Sequence, residues 1–185
     1  MEILNTQRFN EGINIKPVTK TMMKNLVKNV KIGNRYWSVE NAKITVANDG
    51  KPLVKGVDYF VFNNEYYYTK DAAERITPNG WYIPDKEDFS DFMHTVSENG
   101  TYLRCISKDY GGTDEFGFCA KLVGSVNRGT LEAFGQWAAF AMYNDKDGHT
   151  WCAKLVKDVL NENGRFFMER LANTYALSVR FVKDI

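Results

Sequence analysis

The sequence predicts an α+β domain of two helices, an antiparallel sheet and a long glycine-rich loop region over residues 34–185, preceded by an N-terminal arm over residues 1–33. Three observations carry this prediction. Residues 79–89 pass from a short strand directly into a capped helix. Residues 100–135 hold seven of the fourteen glycines. Three strand-like segments, Trp137 to Tyr143, Trp151 to Val156 and Leu177 to Val182, then close the chain.

In the arm, Ile13 and Ile15 alternate before Pro17 as in a short strand. Met22, Met23, Leu26, Val27 and Val30 then mark an apolar stripe at helical spacing, with Lys20, Lys24, Lys28 and Lys31 on the other side. So short a helix is not stable alone, so the stripe must pack on the body of the domain or form an assembly interface with another subunit. Gly33-Asn34 reads as a hinge.

The body opens near Arg35-Tyr-Trp37. Val57, Tyr59, Val61 and the Tyr66-Tyr-Tyr68 run predict two strands joined by a turn at Asn63-Asn64. Thr69 or Asp71 starts a short helix through Ala72, Ala73 and Ile76, which Pro78 ends. Gly80 permits a turn, and Trp81 and Ile83, two apart, share one face of an extended segment. After Pro84, Asp85 stands where an N-cap accepts a backbone N–H, and Phe89, Phe92, Met93 and Val96 recur on one helical face. The glycine-rich stretch reads as irregular, and a turn at Asn144-Asp-Lys-Asp-Gly148 separates the first two closing strands.

A length of 185 residues with 44% hydrophobic and 14% aromatic content is ample for a packed core and excludes general disorder. The net charge of +1 conceals an asymmetry: residues 1–35 carry seven Lys or Arg against two acids, about +5, leaving about −4 for the rest. These lysines are spread singly, which reads as a solvated face and not as a nucleic-acid footprint. No basic n-region leads an apolar h-region, and no run approaches a membrane span. The expectation is a chain made in the cytosol, without membrane insertion, that stays there or leaves by lysis or assembly. Cys105, Cys119 and Cys152 are widely spaced, with no Cys-x-x-Cys pair and no nearby histidine, so buried free thiols are expected and no metal or cofactor is implied.

Two helices, a long glycine-rich loop region and a terminal antiparallel sheet resemble the C-type lectin-like fold. Six separated elements carry a closer resemblance: Trp37-Ser-Val-Glu40-Asn41, Tyr66-Tyr-Tyr-Thr-Lys-Asp-Ala-Ala73, Gly80-Trp-Tyr-Ile-Pro-Asp85, Asp114-Glu-Phe-Gly117-Phe118, Leu131-Glu-Ala-Phe134 and Ser178-Val-Arg-Phe-Val182. Their order and spacing resemble the FISUMP family, the major paralogous domain first named from Fibrobacter. Tyr82 stands where that family usually has arginine, Asp85 where it has threonine and Phe181 where it has cysteine, so a family disulfide at the last position is not expected here. The resemblance implies a surface protein of bacteria, usually exported. The basic arm and the lack of an export signal point instead to a phage of such bacteria, whose fibres use lectin-like domains.

Candidate chemistry is sparse. The Asn144 to Gly148 turn loosely resembles the Trp-Asn-Asp calcium element of true C-type lectins, with Tyr143 in place of Trp. The partner loop is missing and calcium needs six or more oxygens, so a plain hairpin turn is the better reading. His94 and His149 are isolated. Formylglycine-generating enzymes share the lectin-like fold, but the three cysteines do not sit in their motif, so no catalytic residue is assigned. Trp137, Tyr143 and Trp151, with Asn144, Asp145 and Asp147 of the turn, are the candidate ligand-binding residues, because aromatics at strand ends can stack on a sugar ring or anchor a protein contact; core packing is the competing role of all three aromatics.

The expectation is thus a non-enzymatic phage virion protein of a head or tail fibre, oligomeric, docked on virion proteins through Ile13, Ile15, Met22, Met23, Leu26, Val27 and Val30. Its outward loops would bind a host-surface glycan or protein. A bacterial surface adhesin is the alternative, and a formylglycine-generating-type enzyme the least favoured.

Overall fold

The computed structural model describes residues 27–98, 101–143, 149–157 and 164–185. Its first element is a hairpin. β1 (Asn29–Ile32) pairs antiparallel with β2 (Arg35–Ser38), placing Val30 opposite Trp37. Gly33, at φ +59°, supplies the left-handed turn between them. The expected hinge is therefore a tight turn inside the domain, and the helix expected to reach Val30 gives way to a strand because all four residues of β1 find partners on β2. Val27 and Val30 pack against the domain's own core clusters. Ile13, Ile15, Met22, Met23 and Leu26 lie outside the described residues.

β3 (Tyr59–Phe62) and β4 (Glu65–Tyr68) form a second hairpin as expected. Asn63 and Asn64 both adopt positive φ, 50° and 60°, the conformation a two-residue hairpin turn requires and asparagine tolerates. α1 (Lys70–Arg75) follows Thr69 and buries Ala72 and Ala73. α2 (Lys86–Glu98) buries Phe89, Phe92 and Val96. Its start is a reciprocal cap: Asp85 Oδ1 accepts the Glu87 and Asp88 N–H at 2.8 and 2.9 Å, and Asp88 Oδ2 accepts the Asp85 N–H at 3.0 Å.

The glycine-rich stretch is more structured than expected. It holds 3₁₀ turns at Tyr102–Cys105 and Lys108–Tyr110, then β5 (Ser125–Asn127) and β6 (Thr130–Glu132), a small hairpin. Gly124 enters it at φ +73°, where a Cβ would collide with the Glu132 carbonyl oxygen. β7 (Trp137–Met142) and β8 (Thr150–Val156) pair as expected, and β9 (Arg165–Leu171), which the sequence pattern did not announce, adds to β8 as the edge. The last expected strand is divided. β10 (Tyr175–Ala176) joins β5, and β11 (Val182–Asp184) joins β2. Between them Leu177 bridges Tyr68 of β4 and Ser178 bridges Phe140 of β7, because successive backbone groups find partners on different elements.

Among the described residues, four small sheets result: β1-β2-β11, β3-β4, β10-β5-β6 and β7-β8-β9. Every strand pair is antiparallel. One buried cluster centres on Trp37, whose ring lies 5.1, 5.0 and 5.8 Å from those of Phe89, Phe92 and Phe118. Another joins Trp81 and Ile83 to Val179 and Phe181, so the strand before α2 and the C-terminal segment share an interior.

Between the two clusters lies Arg180, fully buried. Its Nε donates to Asn41 Oδ1 at 2.7 Å, Nη1 to the carbonyls of Ser38 and Phe118 at 2.7 and 2.9 Å, and Nη2 to the Cys119 carbonyl at 2.9 Å. The guanidinium also sits 4.9 and 5.5 Å from the ring centroids of Phe118 and Phe140. Asn41 in turn donates to Glu65 at 3.4 Å, and Glu65 meets Lys121 at 2.8 Å. Burial pulls the Arg180 pKa down to about 10, which leaves it charged at neutral pH. Replacing it by Met (Arg180→Met) is expected to destabilise the fold by about 3–5 kcal/mol, because it strands several buried acceptors. Urea denaturation measures this, and a loss under about 1 kcal/mol would show that the guanidinium does not hold the loops.

Candidate functional site

β7 ends at Met142, and the next residue, Tyr143, donates its N–H to the Pro84 carbonyl at 2.9 Å. This bond fixes the end of the central sheet against the turn that opens α2. Tyr82 alternates with the buried Trp81 and Ile83, so its side chain leaves the other face of the strand. Its two backbone bonds to Val182, at 2.8 and 2.9 Å, lock that direction. The same region includes Glu74, in the last turn of α1, and Thr77, whose hydroxyl donates to the Ala73 carbonyl at 3.0 Å.

Together Glu74, Thr77, Tyr82, Ile83, Asp85 and Tyr143 line an open groove of about 450 Å³. Ile83 and Glu74 also line a narrow crevice that runs inward past Lys70, Ala141, Thr150 and Trp151. The crevice has room for about 10 Å³, close to what one water needs, so binding of anything larger is confined to the outer groove.

The Tyr82 wall is held by charges behind it. Arg35 Nε lies 2.8 Å from Asp88 and 3.4 Å from Asp184, and the Tyr82 hydroxyl is 3.4 and 3.2 Å from the same two carboxylates. Burial first, then the Asp88 charge, push the Tyr82 phenol up to about 12, so it stays a neutral donor. Burial also raises the Asp88 pKa, against the Asp85 N–H and Arg35, which favour its carboxylate. Tyr143 is 43% exposed, which leaves much of its ring open to a ligand. The groove thus offers two phenols, two carboxylates and an apolar floor, a set suited to holding a molecule with an apolar face and a polar rim.

The sequence candidates fall in different places. Tyr143 and Trp151 meet along the groove and its crevice. Trp137 starts β7, six residues away and roughly 20 Å along the strand. It belongs to a separate patch in which the Lys154 ammonium lies 4.4 Å from its ring centroid and pairs with Glu169. Trp137 is half-buried against a core cluster at the opposite end of β7 from Tyr143, so the structure does not bring these two candidates together. Asn144, Asp145 and Asp147 lie outside the described residues. Among the described residues no group of three or more metal-ligating side chains occurs. Tyr82, Glu74 and Thr77 were not assigned to the site from sequence, and the alternation of Tyr82 with Trp81 and Ile83 was the signal for one of them.

The thiols lie elsewhere. Cys105 and Cys152 are buried and Cys119 is half-buried. Burial raises the Cys105 pKa far above the usual thiol range and pushes that of Cys152 up to about 12, the Glu169 charge adding to the latter. Among the described residues, no helix is long and apolar enough to cross a membrane.

These features define a small α+β domain of short antiparallel sheets clasped by a buried arginine, with an open amphipathic groove at one sheet end. The family model for the Fibrobacter succinogenes major domain matches residues 30–183, and the chain belongs to that family. The match starts within β1, in agreement with a body that begins before the Gly33 turn. No curated protein and no solved structure matches the chain.

Alkylation by iodoacetamide at pH 8 is expected to label Cys119 alone in the folded protein and all three cysteines in denaturant. Burial and the Glu169 charge hold Cys152 as the unreactive thiol at that pH. Fast labelling of Cys105 or Cys152 by mass spectrometry would contradict the burial described.

Proposed function

We propose that the protein is a non-enzymatic binding module, a C-type lectin-like domain that contacts a host-surface glycan or protein through the Tyr143 groove, and that it serves in a phage particle as a head or tail fibre component. The observation that carries the binding half is the exposed Tyr143 ring in a groove that Tyr82, Ile83, Glu74 and Asp85 also line. A pyranose has an apolar face that stacks on such rings and hydroxyls that donate to such carboxylates.

The assembly half rests on residues 1–29, which precede the family match and carry most of the chain's basic asymmetry together with an apolar stripe. Such a segment suits docking on neighbouring virion subunits or on a second copy of the chain. A bacterial surface adhesin would use the same groove without that attachment.

Tyr143→Ala is expected to cut binding on a glycan array at least about fivefold while leaving the melting temperature nearly unchanged, as the loss of one stacking ring implies. Equal binding by the variant would move the site elsewhere. Removing residues 1–26, which spares β1, is expected to leave a folded monomer that no longer enters particles. Particles that still incorporate the truncated chain would end the attachment role, and recovery of the protein from envelopes of uninfected bacteria would replace the virion reading with the adhesin.

A further inference from the structure

We infer that the Tyr143 groove selects ligands bearing a protonated amine, such as an amino sugar, over their neutral counterparts. This rests on the binding role proposed above and adds to it the charge of the ligand. Among the described residues, those lining the groove are two phenols, two carboxylates, a threonine and an isoleucine, with no cation. An ammonium gains from both kinds of wall: aromatic faces attract it, and carboxylates accept its three N–H donors.

Both carboxylates retain an acceptor. Asp85 uses Oδ1 for the Glu87 and Asp88 N–H groups, and among the described residues no bond engages its Oδ2. Glu74 meets Lys70 through Oε1 at 3.3 Å, with 42% of its side chain exposed. Lys70 sits one turn back on α1 and lines the inner crevice, not the groove. Arg35, behind the Tyr82 wall, is taken up by Asp88 and Asp184. The N-terminus of α2 adds a partial positive charge and its first residue, Lys86, a full one, while Asp85, Glu87 and Asp88 stand in or beside the same turn. Among the described residues, the charged side chains that line the groove itself, Glu74 and Asp85, are both carboxylates.

The test titrates the full chain at pH 6 with glucosamine, N-acetylglucosamine and glucose, followed by calorimetry and by the ring resonances of Tyr143. Glucosamine is expected to bind about tenfold more tightly than the other two at low salt, with the preference shrinking as salt is added. In the Glu74→Gln/Asp85→Asn double variant the preference should fall to about one. Asparagine is as good an N-cap as aspartate, so α2 keeps its start and an unchanged melting temperature confirms it. Equal binding of glucose and glucosamine overturns the charge selectivity while leaving the groove a binding site. A preference that survives the double variant overturns the role of these two carboxylates, and no binding of any of the three sugars at Tyr143 overturns the charge selectivity together with the glycan half of the binding role.

Discussion

One buried guanidinium organises this domain. The fold has no large sheet to impose order, only four small ones, and the loops between them must be tied by something else. Arg180 ties three segments at once: the end of β2 and the stretch after it through Ser38 and Asn41, the glycine-rich region through the Phe118 and Cys119 carbonyls, and the C-terminal segment that carries it. Removing a full charge from water costs several kcal/mol, and here fixed carbonyl dipoles and two aromatic faces offset it, with Glu65 one residue further through Asn41. The loop that Arg180 grips is itself shaped for the purpose. Asp114 and Cys119 both hold positive φ, and the Asp114 carboxylate accepts the Cys119 N–H at 2.6 Å, which turns the two carbonyls inward.

The groove depends on the same tertiary ties. Asp85 is both the cap of α2 and a wall of the groove, and Asp88 both closes the cap and anchors Arg35 beside Tyr82. The helix start is thus a shared part of stability and recognition. A change that loosens the cap would also move the groove wall, whereas a change at Tyr143 touches only the rim, since its backbone bond to Pro84 does not involve the side chain.

How much of this could be read from the chain follows the range of the forces involved. The Asp85 cap, the Phe89, Phe92 and Val96 face, and the Asn63-Asn64 turn were legible because each is settled within a few residues by spacing and turn chemistry. Val30 was not, since a valine stripe at spacing three to four also contains an alternating strand pattern, and only the partner strand at Trp37 decides between them. β9 was missed because Arg165-Phe-Phe-Met-Glu-Arg-Leu171 places phenylalanines on both faces, and its place beside β8 comes from the sheet. For the site, Tyr143 was legible as an aromatic at a strand end, but the meeting of Glu74 with Tyr143 and Tyr82 is a product of packing alone. Trp137 shared the same sequence signal and lies at the other end of the strand.

β1 and β11 flank β2 and both run antiparallel to it, so they point the same way. The polypeptide therefore enters this sheet at one end and leaves it at the other. Traction applied to the segment before β1 and resisted beyond β11 would run along the strands and load their perpendicular hydrogen bonds together, in shear, instead of unzipping them singly. A domain tethered through its N-terminal segment would in this way resist tension with its whole terminal sheet.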